Sequence, residues 1–314
     1  MLDPRAVFEQ LHAYQFNLPE GVVNVVTGGG NAGSAMVEHP GISKISFTGS
    51  AGVGRKIAAK AGENLKPVSL ELGGKSPNII FDDANLEAAT AGALAGIFAA
   101  TGQTCVAGSR LLVQRGVYDE IVSRLAQRAG QIRLGNPLDE ASEMGTAANR
   151  PQFDRIMESI EGAKNDGARL VAGGTPGSGK GLDGGLFIQP TIFSDVTNEM
   201  HVAQNEIFGP VLSILPFDTE EEALQIANDI PYGLASGLWT SDISRAMRAI
   251  PQLKTGVVWV NTYRVVAAQA PFGGMKESGY GRERGEQGLL EFSTIKNVMI
   301  DYSGEIKDPF SIKN

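Results

Sequence analysis

The sequence predicts an α/β protein built on parallel strands, and three observations carry that expectation. Short β-branched runs alternate with helix-patterned stretches from Gly21 onward, an order that requires crossover helices between parallel strands. The 314 residues are 42% hydrophobic and 20% charged, enough for two domains with cores of their own. No internal repeat or long linker interrupts the alternation.

Taken in order, GVVNVV at 21–26 reads as the first strand, and KISFTG at 44–49 as a second that runs into a helix over 50–61. PVSLEL at 67–72 reads as a third, and three such strands make half of a Rossmann-like sheet. After Gly73 the same grammar continues with NIIF at 78–81, a helix from about Asn85, LLVQ at 111–114 and a helix over 117–132. That series predicts a second α/β domain. A glycine-rich connector at 173–185 then precedes FIQPTIF, and PVLSILPF and GVVWVN supply later strands. The expected boundaries are 1–73, 74–277 and a return segment over 278–314.

Composition excludes several classes of function. A formal charge of −8 and a pI near 5.1 provide no large basic field for nucleic acid or anionic lipid. The first residues contain no apolar signal core, and one cysteine cannot form an internal disulfide, so a cytoplasmic location is expected. The uncharged stretch 88–109 holds Gly92 and Gly96 in GxxxG spacing, but its apolar residues are mostly Ala, which predicts a buried helix rather than a membrane span. His12, His39 and His201 stand in no ligand spacing, so no metal site is expected.

GTPGSGKG at 174–181 copies the spacing of a phosphate-binding loop, but Gly181 replaces the hydroxyl residue. Gly184, Gly185 and Pro190 prevent the helix that should follow, so a surface turn is expected. FTGSAGVG at 47–54 sets a strand end, a glycine turn and a serine at a helix start, which suits a pyrophosphate and equally a capped turn without ligand. TGQTCVAGSR at 101–110 places Cys105 in a turn of small residues; on composition it is either a nucleophile or an inert thiol. ELGGKSPNII at 71–80 ends an apolar strand with a carboxylate, either facing a ligand crevice or solvated.

Together with EIFGPV, GVVWVN and PFGGMKESGYGRE, these segments in this order resemble the aldehyde dehydrogenase superfamily from about Pro19 to Asn297. The resemblance implies a partial Rossmann-like NAD-binding domain, an α/β catalytic domain and a carboxyl-terminal oligomerisation strand, for which IKNVMIDYS at 295–303 has a β-rich pattern. It implies NAD(P)-dependent oxidation of an aldehyde to an acid, with Cys105 as nucleophile and Glu71, 34 positions upstream, activating the hydrolytic water. A glutamate there favours hydrolysis over transfer to CoA.

By the same resemblance Thr48, Gly49, Ser50, Leu72 and Gly73 border the cofactor, with Gly49 and Ser50 on its pyrophosphate. Glu206 accepts from the nicotinamide ribose, Phe208 lines the nicotinamide pocket, Glu283 relays protons and Asn261 lies near the site. NAD is slightly favoured over NADP, and a dimer or tetramer is expected. Family members carry further Rossmann strands, an adenosine-ribose lysine and an oxyanion asparagine before this point. Met1 opens a helix that follows those elements in the family, so the chain looks like a carboxyl-terminal part of such an enzyme. Two alternatives accompany the working enzyme: a truncated relative with impaired or no activity, and a non-enzymatic remnant.

Overall fold

Local pattern and hydrogen-bonding partners together decide which apolar runs become strands. The computed structural model of the chain describes Pro19 and residues 21–179, 181–305 and 309–310; the expected amino-terminal helix falls outside them. Residues 21–26, expected as the first strand, are instead exposed chain with Val22 and Val26 in solvent. β-branched residues favour a strand only where a neighbour pairs with it, and no described strand lies beside these.

The chain continues through α1 (Gly30–Glu38), β1 (Ile45–Thr48), α2 (Ala51–Glu63) and β2 (Val68–Glu71). Ser50 caps α2, its Oγ accepting from Val53 N at 3.4 Å. β1 and β2 run parallel with Thr48 beside Glu71.

The large sheet starts at β3 (Pro77–Ile80), followed by α3 (Leu86–Phe98), β4 (Arg110–Gln114), α4 (Tyr118–Ala129), α5 (Arg150–Asn165), β5 (Arg169–Ala172) and β6 (Thr191–Ser194). After α6 (His201–Gln204) come β7 (Val211–Phe217), α7 (Glu220–Asn228), β8 (Tyr232–Gly233), β9 (Ala235–Trp239), α8 (Ile243–Ala249) and β10 (Val257–Val260). Seven strands lie in the order β10-β9-β3-β4-β7-β6-β5, all parallel except β5.

Helices cover both faces, so the central strands are continuously apolar rather than alternating. Leu111 and Val113 of β4 pack with α3 and α4, while Leu112 faces the opposite layer with Phe217, Leu224 and Ala246. The Ala-rich stretch is the buried helix α3, and no described helix is long and apolar enough to cross a membrane. Residues 174–181 lead into turns and no helix.

After β10 the chain returns to the small sheet. β11 (Met275–Lys276) pairs with β8, and β12 (Gly279–Tyr280) pairs antiparallel with β2, which makes this two-residue strand the third member of the small sheet. The return ends in α9 (Gly285–Leu290). Residues 295–303 form no strand here and expose Ile295, Val298, Met299, Ile300 and Tyr302. Their β-rich pattern finds no strand partner among the described residues.

Candidate active site

The site forms where the two sheets meet, on the crossing 72–76. β2 ends at Glu71 and β3 begins at Pro77, so the crossing passes from the carboxyl end of the small sheet to the amino edge of the large one. Leu72 N donates to Ser278 O at 3.0 Å, and Ser278 Oγ donates to Gly73 O at 2.7 Å. Gly74 N donates to Glu206 Oε1 at 3.1 Å, and Lys75 O accepts from Arg110 Nε at 3.3 Å. A Cβ on Gly73 would overlap the Glu206 carboxylate, and one on Gly74 would stand 2.5 Å from the Cys105 carbonyl oxygen. Only glycine permits both approaches.

Cys105 arrives on the loop between α3 and β4. Ala100 and Thr101 take left-handed backbone at φ 55° and 57°, a strain that residues with a side chain adopt only where packing enforces it. Gln103 ties the loop down, Nε2 donating to Thr146 O at 3.1 Å and Oε1 accepting from Ala148 N at 2.8 Å. On the other side the buried Tyr263 hydroxyl donates to Val106 O at 3.1 Å. At the start of β4 the fully buried Arg110 guanidinium donates to Asn198 Oδ1 at 2.7 Å, Ile226 O at 3.0 Å and Ala227 O at 2.8 Å. It therefore locks the crossing to two neighbouring segments.

Glu206 and Phe208 lie on the loop that enters β7. Gln152 of α5 holds that loop, its amide donating to the carbonyls of Ile207 and Phe208, both at 2.9 Å. Phe208 is also left-handed, at φ 55°, and half-exposed.

A cleft of about 1000 Å³ brings together Thr48, Gly49, Ser50, Glu71, Leu72, Gly73, Cys105, Glu206 and Phe208. Glu283 stands behind its wall, joined to Phe272 by two backbone hydrogen bonds of 2.7 Å. Asn261 lies elsewhere: its amide exchanges hydrogen bonds with the Thr240 backbone at 3.0 and 2.8 Å, and Tyr263 two residues later is the one that reaches the cysteine loop. Gln103, Thr104, Gln152 and Arg155 also line the cleft. Gln103 and Thr104 adjoin the cysteine in sequence, whereas nothing local distinguishes Gln152 and Arg155 from other polar residues of a helix.

Burial dominates the electrostatics. Glu71 is 5% exposed, and no protein group donates to either carboxylate oxygen. Desolvation, with the Glu283 charge adding to it and Arg282 opposing, pushes its carboxyl up to about 8. Cys105 is pushed up too, first by burial and then by the Glu206 charge, while the backbone N–H groups of Val106 and Cys105 pull it back. Lys75, fully buried, is lowered to about 7 by desolvation and then by Arg110, with Glu206 opposing.

A half-buried cysteine thiol and a proton-holding carboxyl share one cleft with a capped helix terminus in an α/β protein. The chain belongs to the aldehyde dehydrogenase family, whose sequence pattern matches residues 6–298. It is 46% identical over 308 residues to a betaine aldehyde dehydrogenase of Brucella anthropi, covering 98% of this chain and 63% of that protein. A crystal structure of a betaine aldehyde dehydrogenase point mutant from Staphylococcus aureus, in complex with NAD+, superposes with a TM-score of 0.93 at 39% identity, covering 98% of this chain and 62% of the other. An aldehyde dehydrogenase mutant from Bacillus cereus superposes at 0.82 with 44% identity, over 84% of this chain and 53% of that one. The chain thus spans a little under two thirds of the first two relatives and about half of the third.

Glu71 keeps its proton to about pH 8 when folded, against an ordinary value of 4.5. The folded state therefore binds more protons than the unfolded chain between those limits, and stability falls as pH rises through them. Glu71→Gln removes this dependence. Denaturant midpoints from pH 5 to about pH 8 should show wild type losing a few kcal/mol relative to the variant; parallel curves would contradict the buried carboxylate.

Proposed function

We propose that the chain oxidises an aldehyde to a carboxylic acid through a thioester on Cys105, with NAD(P) as hydride acceptor. The observation that carries this is the cleft itself, which holds the Cys105 thiol and the desolvated Glu71 carboxyl together.

The residues present fit a dinucleotide. Helix α2 presents free N–H groups behind Gly49 and Ser50 at the cleft, which suits a pyrophosphate. Glu206 reaches the same cleft, with Oε1 already held by Gly74 N, and offers a carboxylate to ribose hydroxyls. An apolar cavity of about 500 Å³ between α1 and α2, lined by Val37, Ile42, Phe47, Val53 and Ile57, adjoins that helix and suits an aromatic base. NAD is favoured because a relative of the same fold is in complex with NAD+. When bound, the nicotinamide supplies the hydride acceptor.

The remaining steps belong to the chain. The thiol is not pre-ionised; the backbone N–H groups of Val106 and Cys105 favour its thiolate, and its proton passes to solvent in the cleft. Cys105 Sγ then adds to the aldehyde carbon. The backbone N–H groups of Cys105 and Val106 face the sulfur and serve as donors for the negative charge formed beside it. Loss of hydride from the thiohemiacetal leaves a thioester. Glu71 in its ionised form takes a proton from water, the hydroxide so formed displaces the Cys105 thiolate to release the acid, and the thiolate regains the proton from Glu71. A carboxylate in this position directs the acyl group to water rather than to a second thiol.

Betaine aldehyde is the first substrate to assay, since the Brucella relative carries that name. NADH formation at 340 nm should fall at least about 10³-fold in Cys105→Ala and in wild type should climb with pH toward an inflection near 8. Undiminished turnover in the Ala variant would overturn the proposal. We also propose that the chain associates with itself through residues 295–303, whose apolar side chains stand in solvent. Light scattering at micromolar concentration should give a dimer or tetramer that Val298→Asp weakens; a monomeric wild type contradicts this.

A further inference from the structure

The small sheet that carries Thr48 and Glu71 into the cleft is tied by one carboxylate. Glu291 immediately follows α9. Its Oε2 accepts from Lys44 Nζ and Ser69 Oγ, both at 2.9 Å, and its Oε1 accepts from Arg282 N at 3.1 Å. Each donor lies in or next to a different strand of the sheet. Lys44 precedes β1, Ser69 lies in β2 two residues before Glu71, and Arg282 follows β12 by two residues. Ser69 is buried, and the Lys44 and Glu291 side chains are only 17% and 25% exposed, so these charge-assisted bonds are less screened than a surface pair.

Arg282 links this tie to the chemistry. Its Nη1 donates to Gly274 O at 2.9 Å and Gly281 O at 2.7 Å. Arg282 Cδ and Glu71 Oε1 both lie 2.8 Å from the point where a Cβ on Gly273 would stand, so the two side chains flank that glycine without a hydrogen bond between them. Arg282 is the cation that opposes burial and Glu283 in setting the charge of Glu71.

We propose that Glu291 is a positioning residue for the hydrolytic half of the reaction: by fixing the Arg282 backbone against β2, it holds the guanidinium beside the Glu71 carboxylate. This rests on the hydrolytic role proposed for Glu71. The groups facing Glu71 are Arg282, Glu283 and Cys105, and those facing Glu291 are Lys44, Ser69 and Arg282. Loss of Glu291 leaves Glu283 and Cys105 in place and removes the acceptor that ties the Arg282 backbone N–H to β2, leaving the guanidinium only its bonds to Gly274 O and Gly281 O. The opposing cation is then less well placed, and Glu71 keeps its proton to higher pH.

The test compares wild type, Glu291→Ala, Glu291→Gln, Lys44→Met and Glu71→Gln. The first readout is the rate of Cys105 alkylation by iodoacetamide against pH, without cofactor. The Glu71 charge raises the thiol, so the wild-type profile carries a step that Glu71→Gln abolishes. Glu291→Ala moves that step upward by roughly half a pH unit or more, and Glu291→Gln and Lys44→Met move it by less. If the Ala variant does not fold, these two milder variants decide. The second readout is the pre-steady-state NADH burst: Glu291→Ala keeps the burst rate within about twofold while steady-state turnover near pH 7.5 falls about threefold. An unmoved step, a wild-type profile with no Glu71-dependent step, or equal losses in burst and steady state overturn the proposal. A wild type with no burst at all sinks the dehydrogenase reading instead, and the alkylation step still decides the role of Glu291.

Discussion

Five residues, 72–76, carry the constraint on which the rest of the structure depends. They must leave one sheet and start another while passing the Glu206 carboxylate on one side and the Cys105 loop on the other. Two glycines make the passage possible, and hydrogen bonds from Ser278 and Arg110 and to Glu206 fix its course. Because β2 ends in Glu71 and β4 begins just after Cys105, holding the crossing holds the carboxyl and the thiol to one cleft. Burial of an arginine is costly unless its N–H groups find acceptors, and Arg110 uses four of its five.

The same enclosure sets the chemistry. A carboxylate removed from water and left without a donor destabilises the fold at neutral pH, yet that desolvation brings its proton affinity into the range where a base is useful. Glu71 and Lys75 flank the crossing with unpartnered polar ends, and both are shifted toward neutrality from opposite directions. The surrounding sheets tolerate such groups because apolar contacts on both faces of the large sheet supply the stability.

Much of this was legible in the sequence, for physical reasons that differ by element. The large sheet announced itself through apolar runs that are buried on both faces. The helix starts announced themselves through capping residues such as Ser50 and Asn85. Residues 21–26 and 295–303 have equally good strand composition but no strand partner among the described residues, and pairing is a long-range property that composition does not carry. Conversely Gly279–Tyr280 has poor strand composition and becomes a strand because β2 offers it an edge. Cys105 and Glu71 stand out in glycine-marked segments, and their roles, like that of Glu206, come from the family resemblance. Gln152, Tyr263 and Arg110 do not stand out, because their partners lie 35 to 157 positions away and charged or polar residues are ordinarily exposed.

The central claim is that Glu71 drives release of an acyl group from Cys105. Intact mass and peptide mapping of Glu71→Gln, quenched after exposure to betaine aldehyde and NAD, tests it directly. The account predicts a stoichiometric acyl adduct confined to the Cys105 peptide, which wild type does not accumulate. An unmodified Cys105 in the variant alongside normal turnover would contradict it.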